Sequence, residues 1–230
     1  MPEVIINGAE GRLEGRYTPG KTERSPIALL LHPHPQHGGT MHNKVIFTLN
    51  QTFVNRGFAT LRFNFRGVGR SQGSFARGEG ELTDAASALD WLQTYNANAS
   101  SCWVAGFSFG AWIGMQLLMR RPEIDRFVAI APPASIYDFG FLAPCPSSGL
   151  IVQGDKDEVV AEEAVRKLWE KLSKQRDITV DYKIVKGAPH LFVDRLDKLA
   201  AVVDEYIAAA SKPGPKAGKE AKEKPKTLAR

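Results

Sequence analysis

The sequence contains few cysteines and no long apolar run. Its 230 residues include only two cysteines, Cys102 and Cys145, which cannot build a disulfide framework and do not require an oxidising compartment. No apolar stretch approaches the roughly 18 to 20 residues that cross a bilayer. The first 25 residues lack the apolar core of a secretory signal. These absences argue against a membrane partner and predict a cytoplasmic protein.

Residues 1–210 carry no excess charge of either sign. Of 30 basic and 25 acidic residues, seven basic and two acidic ones fall in 211–230, which leaves 23 of each sign in 1–210. The last segment has no aromatic residue and is rich in Lys, Pro, Gly and Ala, a composition typical of disordered chains. We therefore expect one domain over 1–210 and a disordered basic tail over 211–230. A solvated tail is favoured over one that binds nucleic acid or another polyanion.

Short apolar segments alternate with segments of helical period. Several of the apolar segments, such as ALLL and VAIA, are apolar on successive residues, which indicates strands covered on both faces. These segments are 27–31, 58–63, 102–107, 127–131, 150–152 and 181–185, with a further strand pair near 4–7 and 12–17. Stripes of helical spacing run through 46–53, 82–92, 111–119, 165–172 and 192–206. The alternation predicts an α/β fold with a mostly parallel sheet and helices on both faces.

A G-x-S-x-G pattern, Gly106-Phe107-Ser108-Phe109-Gly110, lies between a predicted strand and a predicted helix. This is the setting of a nucleophile elbow. A serine at such a turn has a strained backbone and projects its hydroxyl clear of the sheet, while the glycines let strand and helix approach. The Phe109 N–H lies at a helix N-terminus, where it favours developing negative charge. We predict that Ser108 is a nucleophile; the alternative is an ordinary helix N-cap.

A serine nucleophile needs a base, and His190 is the only histidine downstream of Ser108. It follows the last predicted strand in the turn KGAPH, and its alternative role is to cap the final helix. The imidazole in turn needs an acid. After the strand in LIVQGDKDE, Asp157 is the first choice and Asp155 the alternative, although Asp157 could simply cap a helix starting near Val159. The order Ser108, Asp157, His190 differs from both main serine-protease orders.

The segment LHPHPQHGG follows the first central strand, where a second oxyanion donor is expected for this chain order. Pro33 and Pro35 have no N–H, so the amide of His34 is the nearest donor, beside that of Phe109. A metal site is the competing interpretation. Its ligands would be His32, His34, His37 and His42. Because no carboxylate or cysteine lies among them and the prolines restrict their convergence, we predict pocket lining and no metal.

At these residues the sequence resembles the α/β-hydrolase superfamily, and more narrowly its small dienelactone-hydrolase-like members. The resemblance covers about residues 1–210 and rests on the blocks LLLHPHPQHGGTMHNKV, FATLRFNFRGVGRSQG, GFSFG, GDKDEVV and GAPH. It implies a triad of Ser108, Asp157 and His190, with oxyanion amides at His34 and Phe109. Dienelactone hydrolase itself uses a cysteine nucleophile, so its substrate does not carry over. The serine also excludes an aspartate-nucleophile dehalogenase.

Only about eighteen residues separate the strand ending near 131 from the one starting near 150, too few for a cap domain. An open site suits small esters, and we expect Phe107, Phe139 and Phe141 to form an apolar acyl wall. The predicted function is hydrolysis of a small carboxylic ester or thioester through an acyl-enzyme on Ser108, without a cofactor. The alternatives are an amidase or small peptidase with the same triad, and a non-catalytic binding protein on the same scaffold.

Overall fold

The protein, described here as a computed structural model over residues 3–211, alternates strands and helices along most of its length. The strands are β1 (Glu3–Gly8), β2 (Gly11–Thr18), β3 (Ile27–Leu31), β4 (Ala59–Phe63), β5 (Cys102–Phe107), β6 (Arg126–Ile130), β7 (Ser148–Gly154) and β8 (Val180–Val185). The helices are α1 (Lys44–Asn55), α2 (Glu79–Thr94), α3 (Phe109–Leu118), α4 (Glu162–Ser173) and α5 (Leu196–Ala210). Apart from residue 211, the predicted tail lies outside the described residues.

All eight strands form one sheet in the order β1-β2-β4-β3-β5-β6-β7-β8. β4, β3, β5, β6, β7 and β8 run parallel to one another. β1 and β2 complete the sheet as an antiparallel edge, with β2 paired to β4. Every residue of β3, β4 and β5 is buried. The sequences of β3 and β5 are apolar throughout, as strands covered on both faces require, whereas β4 also buries Thr60 and Arg62. The α/β-hydrolase fold with a mostly parallel sheet is therefore confirmed.

Helices cover both faces of the sheet. The core on one face receives side chains from α2, α3 and α4, such as Leu89 and Ile113. The core on the other face receives side chains from α1 and α5, such as Phe53 and Val203. Because the central strands are parallel, their carboxyl ends meet at one edge of the sheet, where ligands bind in open α/β folds.

The last predicted helix started too early in the chain. Phe192 does not belong to it, because its φ of 53° is left-handed and α5 begins only at Leu196. The Phe192 side chain is fully buried and lies 6.5 Å from the Phe107 ring, centroid to centroid. Phe192 fits the apolar spacing of the helix because it is buried, but its backbone is not helical.

The connection between β6 and β7 contains neither helix nor strand. The sequence predicted that this connection holds no cap domain. In the described residues, no further layer of helices covers the edge of the sheet near β5 and β6. In the described part of the chain, no helix combines the length and the apolar character needed to cross a membrane.

Candidate active site

Ser108 occupies a strained turn between β5 and α3. Its φ of 52° and ψ of −119° place it outside the regions that side-chain-bearing residues normally adopt. Its N–H donates to the carbonyl of Ile130 at the end of β6, 2.8 Å away, which fixes the turn to the neighbouring strand. Its side chain caps no backbone group of α3, so the alternative role as an ordinary N-cap does not apply.

The two glycines that flank the elbow are required by close backbone packing. A Cβ atom on Gly106 would come within 2.3 Å of the Gly110 carbonyl oxygen. A Cβ atom on Gly110 would come within 2.1 Å of the Leu31 carbonyl oxygen, in the adjacent strand β3. A change of side-chain rotamer cannot relieve either contact, because the atom that the added Cβ would meet belongs to the backbone. Strand, turn and helix are thus locked together beneath Ser108.

Ser108, His190 and Asp157 form a continuous chain of hydrogen bonds. His190 Nε2 lies 3.1 Å from Ser108 Oγ, and His190 Nδ1 lies 2.8 Å from Asp157 Oδ2. A carboxylate only accepts, so the imidazole carries its proton on Nδ1 and leaves Nε2 free to accept the serine hydroxyl. The serine and the histidine, 82 residues apart in sequence, are both nearly buried.

The Asp157 carboxylate is held on both of its oxygens. Its Oδ1 accepts the backbone N–H groups of Val159 and Val160 at 2.9 and 2.8 Å, while Oδ2 faces His190. Burial acts to raise the pKa of Asp157, but the hydrogen bonds from His190 and the two amides outweigh burial and leave the pKa below its ordinary value. Asp157 therefore stays ionised at neutral pH. Asp157 therefore both faces the histidine, as predicted, and stabilises the turn that precedes α4 through Oδ1.

Asp155, the alternative acid, is exposed and faces a different group. Its Oδ1 accepts the N–H of Gly187 at 2.5 Å. In the same region the Lys156 N–H donates to the Ala188 carbonyl at 3.1 Å. These bonds join the loop after β7 to the loop that carries His190. Asp155 thus ties the two loops together, and only Asp157 contacts the imidazole.

Gln153 is a site residue that the sequence analysis missed. Its amide nitrogen donates to Asp157 Oδ2 at 2.9 Å and to the Val160 carbonyl at 3.1 Å, and its side chain is fully buried in β7. Since these partners only accept, the amide cannot be flipped without losing both bonds. The signal was a single polar residue inside the apolar strand sequence LIVQG.

The two predicted oxyanion amides belong to His34, in the loop after β3, and to Phe109, the first residue of α3. His34 follows β3, with φ of −52° and ψ of 122°, and its imidazole lies 5.0 Å from the Phe109 ring. Within residues 3–211, neither the His34 N–H nor the Phe109 N–H donates to another protein group. Both donors are therefore free for a ligand.

A cleft of about 450 Å³ opens over Ser108 and His190. Pro33, His34, His37, Gly38, Gly39, Asn43, Phe107, Glu158, Val159 and Leu191 complete its lining. Phe107 also packs against the His190 imidazole, with 5.0 Å between ring centroids. Phe107 therefore lines the cleft, and its role as an acyl wall stays a prediction.

Phe139 and Phe141 lie elsewhere, which corrects their expected role as an acyl wall. Their rings stack on each other, 5.9 Å apart. Phe139 lines a separate cavity of about 330 Å³ against α4, and neither ring reaches the cleft over Ser108. Their contacts are with the core of the α4 side of the sheet.

His32, the first member of the histidine segment, has a structural role. Its Nδ1–H donates to the Pro33 carbonyl at 2.6 Å, and its Nε2 accepts the Phe65 N–H at 3.0 Å. Burial lowers its pKa to about 4. Both ring nitrogens are in use, so His32 has none left for a metal. Over residues 3–211, no three His, Cys, Asp or Glu side chains group as metal ligands would.

The comparison with known proteins agrees with this geometry. The X-Pro dipeptidyl-peptidase family (S15 family) matches residues 15–144, more than half of the chain. The chain belongs to the S15 family and to the α/β-hydrolase superfamily. The match includes His34 and Ser108 and ends before Asp157 and His190. The narrower resemblance to dienelactone-hydrolase-like proteins stays a prediction.

Three solved structures of this superfamily are similar over nearly the whole chain. ATU1826 from Agrobacterium tumefaciens, a protein of unknown function described as a candidate α/β hydrolase, is 56% identical, with a TM-score of 0.89 over 93% of this chain and 100% of its own. An α-β serine hydrolase homologue from Coxiella burnetii is 37% identical, with a TM-score of 0.81 over 90% and 97%. XC6422 from Xanthomonas campestris, a serine hydrolase without a lid, is 30% identical, with a TM-score of 0.82 over 93% and 96%.

Proposed function

We propose that this α/β hydrolase cleaves a small carboxylic ester or thioester through an acyl-enzyme on Ser108. The observation that carries the proposal is the unbroken path from Ser108 Oγ through His190 to the ionised Asp157. The path ends on a serine whose backbone is strained and whose hydroxyl faces a cleft. A merely structural serine needs neither the strain nor the aligned base.

In the first half of the reaction, Ser108 Oγ attacks the acyl carbon while His190 Nε2 takes the hydroxyl proton. The imidazole becomes positively charged, and the Asp157 carboxylate at 2.8 Å stabilises that charge. The carbonyl oxygen becomes an oxyanion, to which the free N–H groups of His34 and Phe109 donate. Donors already fixed by the turn after β3 and by the start of α3 need no reorganisation.

In the second half, His190 returns the proton to the departing alcohol or thiol, and the acyl group stays on Ser108. A water molecule then takes the place of the leaving group, and His190 removes its proton as it attacks the acyl carbon. The acid leaves and Ser108 recovers its proton. Each proton transfer uses the same Nε2 atom, and one water molecule is consumed for each ester or thioester cleaved.

The open cleft supports a small substrate. No further layer of helices covers the described cleft, whose volume of about 450 Å³ is that of a small-ligand pocket. A site open to solvent also allows water to reach the acyl-enzyme. We further propose a cytoplasmic location, which the two free and buried thiols, Cys102 and Cys145, support.

A series of p-nitrophenyl esters of increasing acyl length tests the proposal. We expect short acyl chains to be hydrolysed, and we expect Ser108→Ala to lower kcat/KM by about 10³-fold or more. Ser101→Ala, at a serine just before β5 and outside the cleft, is the matched control and should leave the rate unchanged. Equal rates for wild type and Ser108→Ala would overturn the proposal.

Hydrolysis of a peptide bond is the second candidate, because the S15 match covers the segment that holds Ser108. A peptide bond is cleaved by the same steps, but its amine leaves only after protonation by His190. X-Pro p-nitroanilides, assayed beside the p-nitrophenyl esters, separate the two candidates. A kcat/KM for an anilide that equals or exceeds that of the best ester would favour the peptidase.

A further inference from the structure

Glu158 is the only charged carboxylate, ammonium or guanidinium side chain among the described residues that line the cleft. It follows the triad residue Asp157 directly in sequence. Its Oε2 accepts the backbone N–H of His190 at 3.3 Å, so the carboxylate is anchored beside the catalytic histidine. A glutamate carries a negative charge at neutral pH. Any substrate held over Ser108 therefore lies near this charge.

Glu158 has no ion-pair partner in the described part of the chain. Over residues 3–211, no Lys or Arg nitrogen lies within 4.0 Å of its carboxylate oxygens. Burial, and after it the interaction with His37, lowers the pKa of His34, which also lines the cleft, and so favours the neutral form of this imidazole.

A second cavity adjoins the cleft, and its lining also carries a net negative charge. This cavity, of about 670 Å³, shares Asn43 and Leu191 with the cleft. Its charged lining residues are Lys44, Asp194 and Asp197. Exposed apolar side chains also contribute: Leu191 lines both cavities and Val193 lines the second, and each is about half exposed. The approach to Ser108 is thus apolar and, on balance, negatively charged.

We propose that Glu158 makes the site selective for substrate charge: it favours cationic and uncharged esters or thioesters and disfavours anionic ones, such as acyl thioesters of phosphate-bearing carriers. The proposal rests on the proposed hydrolase function and names the substrate class within it. Its physical basis is the Coulomb interaction of the substrate with a carboxylate that lines the same cleft as Ser108 and accepts the backbone N–H of His190. Solvent reaches this carboxylate, which limits the effect to that of a partly screened ion pair.

Three thioacetates of similar size test the proposal. Acetylthiocholine is cationic, 3,3-dimethylbutyl thioacetate has the same shape without the charge, and S-acetyl-3-mercaptopropionate is anionic. The release of free thiol gives kcat/KM for each. The comparison uses the ratio of the cationic to the neutral substrate and the ratio of the anionic to the neutral one, so that a general loss of activity in a variant cancels.

We expect Glu158→Gln to lower the cationic-to-neutral ratio and to raise the anionic-to-neutral ratio, each by about threefold. In the wild type, salt at about 0.5 M should move both ratios in the same directions, since it screens the carboxylate. Glu163→Gln is the matched control. Glu163 is an exposed carboxylate on α4 that pairs with Lys167 outside the cleft, and its loss should change neither ratio nor the basal rate.

Ratios that stay unchanged in Glu158→Gln would overturn the charge selectivity while the hydrolase function stands, because the neutral thioester is still turned over. A wild-type protein that hydrolyses none of the three thioesters and none of the p-nitrophenyl esters would overturn both. An effect of Glu163→Gln as large as that of Glu158→Gln would mean that the net charge of the whole protein sets the selectivity, and it would contradict the specific role of Glu158.

Discussion

The side-chain amide of Gln153 lies 2.9 Å from Oδ2 of Asp157. The same oxygen accepts the Nδ1–H of His190. Gln153 thus fixes the orientation of the carboxylate without touching the cleft, as a positioning residue that acts through Asp157. Residues of this kind typically change activity about 10- to 100-fold when they are removed from the second layer of a site.

Gln153→Leu should therefore lower kcat/KM for the best p-nitrophenyl ester by about 10- to 100-fold. If Gln153 acts through Asp157, the substitution should have no further effect in an Asp157→Ala background, which a double-mutant cycle measures. Gln116→Leu, at a glutamine of α3 that also has a buried amide, should keep the wild-type rate. Losses that simply multiply in the double variant would contradict the positioning role.

Gly110→Ala should destabilise the fold strongly because its Cβ would meet the Leu31 carbonyl oxygen at 2.1 Å. We expect a loss of about 3 kcal/mol or more in the free energy of unfolding, measured by urea denaturation. Gly114→Ala in the same helix is the control. Its nearest contact would be a Val104 methyl group at 3.1 Å, which can shift. Alanine also has a helix propensity about 1 kcal/mol better than that of glycine, so the net loss in the free energy of unfolding should stay near 1 kcal/mol at most. Similar losses in both variants would contradict the packing account.

Stability should fall between pH 6.5 and pH 4 because of His32. Its pKa is about 4 in the folded chain and 6.5 as its ordinary value, so in this range the unfolded chain binds a proton that the folded chain does not. The stabilisation that comes from keeping His32 neutral is complete above pH 6.5, and about 3 kcal/mol of the free energy of unfolding is lost by pH 4. In urea denaturation, the free energy of unfolding of His32→Gln should depend less on pH than that of the wild type. His42→Gln, at an exposed histidine, should keep the wild-type dependence on pH. Parallel slopes for wild type and His32→Gln would contradict this role.

The parts of the fold that follow from continuous apolar sequence were predictable. The bounds of β3 and β5 agree with the apolar segments 27–31 and 102–107, because strands covered on both faces must be apolar throughout. β7 is longer than predicted, since it begins with Ser148 and Gly149 and ends beyond Gln153, all of which interrupt the apolar pattern. The amide nitrogen of its polar glutamine is hydrogen-bonded in the core to Asp157 and Val160, while Oε1 has no protein partner among the described residues.

The chain positions of the candidate triad were predictable because each residue follows a parallel strand whose carboxyl end faces the same edge. The choice between Asp155 and Asp157 was harder, since both follow β7 within three residues of its end. Only the path of the loop decides which carboxylate turns towards His190. The misplaced role of Phe139 and Phe141 has the same origin: they lie in a connection without periodic structure, and its contacts depend on tertiary packing.

Covalent labelling tests the central claim most directly. A fluorophosphonate reacts with a serine only where a base activates the hydroxyl and donors stabilise the anionic phosphoryl oxygen. Peptide mass spectrometry of the labelled wild-type protein should find one phosphonyl group on Ser108, and His190→Ala should label far more slowly although Ser108 is present. A folded wild-type protein that takes up no label, or takes it up on another residue, would contradict the account and favour a binding protein on a hydrolase scaffold.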